Sequence, residues 1–187
     1  LGFVALVPWL LALNAIPTMA GAARSGLLMS IAFVAAVFAW FGVAIGAYTG
    51  IGPATGLLAL LVAAPLLQPQ FIAFALLRHF VGRRHGPAVR ALAGASAWVA
   101  TEWLVPRLLG DTIGHGLYPS RILRQVADLG GAAGITVLLI IINECVALAI
   151  ARRRGSVRAV ATPLAIATAA LVMMTGYGIL ALQRLTP

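Results

Sequence analysis

Every one of the 13 basic side chains in this chain of 187 residues is an arginine, and the arginines stand in short clusters between long apolar runs. An apolar run of about 20 residues crosses a bilayer as a helix, and ionisable groups inside it are costly unless paired. Hydrophobic residues make up 62% of the chain and charged residues only 9%, far from soluble composition. The pattern specifies an all-α fold, a polytopic transmembrane helical bundle. A net charge of +9 would point to nucleic acid in a soluble protein. Here the arginines flank apolar runs, so the expected partners are anionic membrane lipids and no nucleic acid. The lone Cys145 lies inside an apolar run and excludes an intrachain disulfide.

Hydropathy predicts about six spans: Gly2–Asn14, Gly26–Tyr48, Ala54–Leu77, Val89–Leu104, Gly131–Ala151 and Val160–Leu182. The first is short for a crossing, and the chain starts at Leu1 and stops at Pro187 just after an apolar run. It therefore reads as one transmembrane domain, 1–187, belonging to a longer protein. Cytoplasmic loops carry the excess of arginine. Arg24 follows the first span, Arg78, Arg83, Arg84 and Arg90 surround the connection after the third, and Arg152, Arg153, Arg154 and Arg158 follow the fifth. These mark the cytoplasmic side, so both ends of the chain are expected on the opposite face.

The long outer loop, Val105–Gly130, holds a pattern of its own. Pro119 and Ser120 make a helix start and Gly130 a stop, with Ile122, Leu123, Val126 and Leu129 at helical spacing. This predicts a short interfacial helix, with Arg124 and Asp128 four apart and able to pair. It serves either as an anchoring elbow or as a lipid-facing lip whose arginines meet phosphate head groups. Gly42, Gly46 and Gly50, and again Gly130 and Gly134, have the spacing of close helix packing.

Chemistry is sparse. Glu102 and Glu144 are the carboxylates at membrane depth, where an ionisable group is a functional candidate by default. Glu102 reads equally as an interfacial carboxylate paired with Arg107 or the elbow arginines, and Glu144 as a group neutralised or hydrogen-bonded inside the bundle. His115 could act as acid or base, or simply be solvated. The three histidines are scattered and show no metal-ligand spacing, and no phosphate-binding glycine loop is present, so no cofactor and no metal are expected.

Specific tracts then carry a resemblance. Ser96–Trp103 with Glu102 inside it, Gly114-His115-Gly116-Leu117-Tyr118-Pro119, and Gln125–Asn143 with its Asp128-Leu129-Gly130-Gly131 core resemble the membrane portion of bacterial apolipoprotein N-acyltransferases. Val7-Pro8 within Ala5–Leu13, Trp40, and the glycine turn Gly50–Pro53 fit the same family and keep its order. The resemblance implies an enzyme of the bacterial inner membrane. It moves an acyl chain from a glycerophospholipid to the amino group of a diacylglyceryl-cysteine on a lipoprotein. The family's chemistry resides in a nitrilase-like domain with a Glu–Lys–Cys constellation, whose cysteine forms an acyl-thioester. This chain has no lysine, and Cys145 lies in a span, so no catalytic residue is carried over. The nitrilase-like domain is expected beyond Pro187, and residues 1–187 are expected to be inactive alone. Glu102, Arg107, His115, Arg121 and Arg124 are the candidate substrate-binding rim for phospholipid and the diacylated lipoprotein. The alternative is a self-contained membrane module, a small carrier or an assembly subunit, without catalysis.

Overall fold

Proline and glycine decide where the apolar runs break. The computed structural model describes residues 2–106 and 112–185. Among the described residues the elements are α1 (Val7–Ala15), α2 (Met19–Tyr48), α3 (Pro53–Leu67), α4 (Gln70–Gly82), α5 (Pro87–Leu104), α6 (Ala127–Ala151) and α7 (Val157–Leu185), with 3-10 turns at Ile113–Leu117 and Leu123–Val126 and no strand. Helix α2 opens earlier than Gly26 because the Thr18 hydroxyl accepts the Gly21 N–H at 3.1 Å and caps it. Arg24 consequently lies within α2 and not in a loop.

The expected third span, Ala54–Leu77, is two helices bent by 42° at Gln68–Pro69. A residue before proline is pushed out of the helical region, and Gln68 duly sits at φ −132°, ψ 57°. Among the described residues three helices are long and apolar enough to cross a membrane, α2, α6 and α7, and the α3–α4 pair makes up to four. By length and composition the described helices thus give three or four candidate spans, against six expected. Helix α1 has only 9 residues, and α5 carries both Arg90 and Glu102 in its 18.

Two larger buried clusters and a smaller one, Val34 and Phe38 of α2 with Ala64 of α3, hold the bundle. Trp9 of α1, Phe71 and Phe74 of α4 and Trp98 of α5 stack in one buried group, with Phe71 edge-on to Trp98 at 4.7 Å and Trp9 to Phe71 at 5.7 Å. The Trp9 indole N–H donates to Ser25 Oγ at 3.0 Å, so the ring keeps a polar partner. The second cluster joins Ile135, Leu139 and Ile142 of α6 to Ala170 and Met174 of α7. Asn143 ties the chain's start to α6: its Oδ1 accepts the Leu6 N–H at 2.9 Å, and its Nδ2 donates to the Gly2 carbonyl at 2.8 Å. Leu6 stands at the N-terminal end of α1, where a backbone N–H has no intrahelical carbonyl to donate to.

The glycines divide in two. A Cβ on Gly42 would stand 2.9 Å from Leu57 Cα, and one on Gly56 2.6 Å from Gly46 Cα, so α2 and α3 meet backbone to backbone. Gly50 supplies a positive φ of 76° in the turn between them. Gly130 and Gly134 do not pack against a partner, since a Cβ on either meets nothing within 4 Å. Gly130 and Gly131 instead break α6, with Gly131 at φ 62°.

The outer segment also differs from the single amphipathic helix expected over Pro119–Gly130. Ser120 Oγ accepts the Leu123 N–H at 3.2 Å, a 3-10 turn follows, and α6 begins at Ala127. Leu117 and Val126 are buried in the α6–α7 cluster, so the segment caps that pair of helices. Among the described residues no ion pair joins Arg124 to Asp128. The regular i to i+4 spacing that would align them is lost in the 3-10 turn.

Candidate functional site

Two polar centres occupy opposite ends of the bundle. At one end Thr112 caps the turn Ile113–Leu117: its hydroxyl accepts the Gly114 N–H at 3.0 Å, and its own N–H donates to His115 Nδ1 at 3.2 Å. Nδ1 is therefore an acceptor, and the neutral ring carries its proton on Nε2. The Thr112 and Thr136 hydroxyls share a hydrogen bond, which fastens this turn to α6. Beneath the turn lies a cavity of 340 Å³, with Ala5, Met29, Phe33, Phe71, Thr112 and His115 among its lining residues. That volume falls at the small end of the range usual for ligand sites. Its wall is apolar apart from Thr112 and His115, a form suited to a chain with a polar end.

Among the described rim residues, one borders this cavity. His115 lines the cavity, while Glu102, Arg121 and Arg124 do not. Glu102 is buried on α5 and accepts the Trp98 indole N–H at 2.9 Å. Arg124 lies over the Tyr118 ring, 5.5 Å from its centroid, and Arg121 is exposed with its carbonyl accepting the Gln125 amide at 3.0 Å. Arg107 and Asp111 lie outside the described residues.

At the other end, Glu144 of α6 receives a two-pronged grip from Arg78 of α4. Nε pairs with Oε1, and Nη2 reaches Oε2 at 3.0 Å and Asn14 Oδ1 at 2.9 Å. Arg78 is 3% exposed and Glu144 4%, and Arg90 of α5 brings Nη2 to 3.8 Å from Oε2. Side chains of α4 and α5 therefore meet one carboxylate of α6, and Asn14 of α1 holds the Arg78 guanidinium in place. Of the two readings open for Glu144, the neutralised one is what the structure shows. Arg78 was expected in the basic connection; it faces inward because Phe71, Phe74, Ala75 and Arg78 share the buried stripe of α4. That helical spacing, together with an intramembrane glutamate in need of a cation, was the available signal.

Residues 1–145 match the family described as the apolipoprotein N-acyltransferase N-terminal domain. The chain belongs to that family. No curated protein and no solved structure matches it. Within the N-acyltransferase N-terminal domain, both centres are framed by elements of the matched stretch, α1 to α6, and α7 follows it. Among the described residues no three His, Cys, Asp or Glu side chains group as a metal site. Cys145 borders Glu144 within α6 and touches the α7 cluster, a packing position. The break at Gln68–Pro69 also carries polar groups: Gln70 Nε2 donates to Gln68 Oε1, and the Ser30 hydroxyl donates to the Gln68 carbonyl at 2.8 Å.

Proposed function

We propose that this chain is the membrane domain of an enzyme that transfers an acyl chain from a glycerophospholipid to the amino group of a diacylglyceryl-cysteine on a lipoprotein. In this reading the domain anchors a catalytic nitrilase-like domain and shapes lipid access, and it contributes no nucleophile. Family membership over residues 1–145 carries the reading. The absence of lysine from the chain supports placing the catalytic groups elsewhere in the protein. The cavity under Ile113–Leu117 is the entry for an acyl chain, with His115, Arg121 and Arg124 near the head-group level. Arginine grips phosphate through a planar fork.

The test is acyl transfer to a diacylated lipopeptide by the full-length protein, followed against phospholipid concentration. Ala5 lines the cavity yet is exposed, so Ala5→Trp fills the space without crowding the core. The expected result is a KM for phospholipid raised about tenfold, equivalent to ~1.4 kcal/mol of lost binding, with kcat kept. Arg121→Gln/Arg124→Gln is expected to raise KM in the same direction. Unchanged kinetics in both variants, at unchanged thermal stability, would reduce this end of the molecule to an anchor. No transfer by the full-length protein would leave the non-catalytic module.

The same reading places the protein in the bacterial inner membrane with the arginine-rich end cytoplasmic. Pro87, Arg90 and Arg152 line one groove, so the α4–α5 and α6–α7 connections share an end of the bundle, while Gly2 and His115 share the other. Excess arginine marks the cytoplasmic face. On a Cys145→Ser background, an impermeant thiol reagent applied to intact spheroplasts should label a cysteine at position 115 and spare one at position 85. The reverse pattern overturns the orientation.

A further inference from the structure

Arg90 borders two neighbouring spaces. One is a small polar cavity of 160 Å³ that it shares with Asn14, Arg78, His79 and Arg83. The other is an apolar groove of 370 Å³ between α5, α6 and α7, bordered by Leu92, Ile141, Leu148 and Ile166, with Arg152 at its polar end. Arg90 Nε and His79 Nε2 are buried and have no hydrogen-bond partner among the described residues. A guanidinium N–H deprived of both water and an acceptor is costly, so the two orphaned nitrogens point to an acceptor that fills the polar cavity. Charge points the same way. Arg78, Arg83, Arg90 and Arg152 line these spaces against a single carboxylate, Glu144, which Arg78 already grips from two sides.

We propose that the arginine-rich end of the bundle is a seat for one anionic phospholipid, with its phosphate at Arg90 and His79 and an acyl chain in the α5–α6–α7 groove. A phosphate diester offers two free oxygens to the orphaned donors and brings the negative charge that the cluster lacks. The head group must be anionic overall. A zwitterionic lipid would also bring an ammonium, and among the described residues the one carboxylate on these walls, Glu144, is engaged. The groove selects a lipid over free phosphate, because it runs from the same arginine and its wall is mostly hydrocarbon. This seat shares no lining residue with the cavity assigned to the acyl donor, so its lipid is a bound structural partner and not the substrate.

Native mass spectrometry of the full-length protein, stripped of lipid and titrated in detergent, tests this directly. The probes are phosphatidylglycerol, phosphatidylcholine with the same acyl chains, and inorganic phosphate. The expected result is one phosphatidylglycerol retained at least tenfold more strongly than phosphatidylcholine, with no competition from phosphate at equal concentration. Arg90→Gln should lower that retention about tenfold. Arg83→Gln/Arg152→Gln changes only exposed arginines and should lower it severalfold with the fold intact, which covers the case that Arg90→Gln fails to fold. Ile166→Trp, at a half-exposed groove position, should block the tail while leaving every arginine in place. Equal retention of the two lipids, displacement by phosphate, or full retention in Ile166→Trp would each overturn the proposal.

Discussion

Replacing Arg78 with methionine is expected to destabilise the protein by about 3–5 kcal/mol, the usual cost of leaving a buried charge without its partner. Glu144 is 4% exposed and takes both of its strong contacts from Arg78. Arg90 stands 3.8 Å away and offers no hydrogen bond, so it replaces only part of the lost grip. Asn14 Oδ1 would also lose its donor. The double variant Arg78→Met/Glu144→Leu should recover most of the loss, because replacing both members of a buried pair by apolar groups of similar volume is close to neutral. Arg78→Lys should fall between, since a point charge cannot span both carboxylate oxygens and Asn14 together. Thermal unfolding midpoints in detergent measure all four proteins. A single variant as stable as the parent, or a double variant no better than the single, would show that the pair does not hold α1, α4 and α6 together.

Gly56→Val should be nearly as damaging, at about 3 kcal/mol, the upper part of the range for overpacking. The first added carbon would lie 2.6 Å from Gly46 Cα. The obstacle is backbone on both sides, so neither rotamer change nor side-chain bending relieves it, and α2 must separate from α3. Gly134→Ala supplies the contrast. Its Cβ meets nothing within 4 Å, and alanine favours helix over glycine by roughly 1 kcal/mol, so this change should be neutral or stabilising. Equal effects at the two positions would remove close approach as the basis of the α2–α3 contact.

The two glycine pairs show how far local pattern reaches. Both have the four-residue spacing of a packing face, and only one meets a neighbouring helix. Spacing reports which residues share a face; it carries nothing about what covers that face. The same holds for the rim. The segment Pro119–Gly130 has a helical apolar period, yet Leu117 and Val126 are drawn into the α6–α7 cluster and the backbone tightens into 3-10 turns to deliver them. That choice depends on Ala170 and Met174 of α7, distant in the chain.

Arginine clusters and apolar runs were sufficient for the class, an all-helical membrane domain, because the cost of burying charge and backbone polar groups in hydrocarbon acts on each segment separately. The tracts around Glu102, His115 and Gly130 were sufficient for the family, since they are contiguous stretches. Span number was not legible to the same degree: with the bend at Pro69 and the charges on α5, the described residues hold three or four helices long and apolar enough to cross, and the six spans that the runs suggested are not all found among them. The partner of Glu144 came only with the tertiary structure. Arg78 lies 66 residues away and looked like one more member of a basic loop. Its inward direction follows from the stripe it shares with Phe71 and Phe74, and its pairing from the packing of α4 against α2 and α5, with side chains of α1 and α6 closing the same cluster, a long-range arrangement that no local energy term encodes.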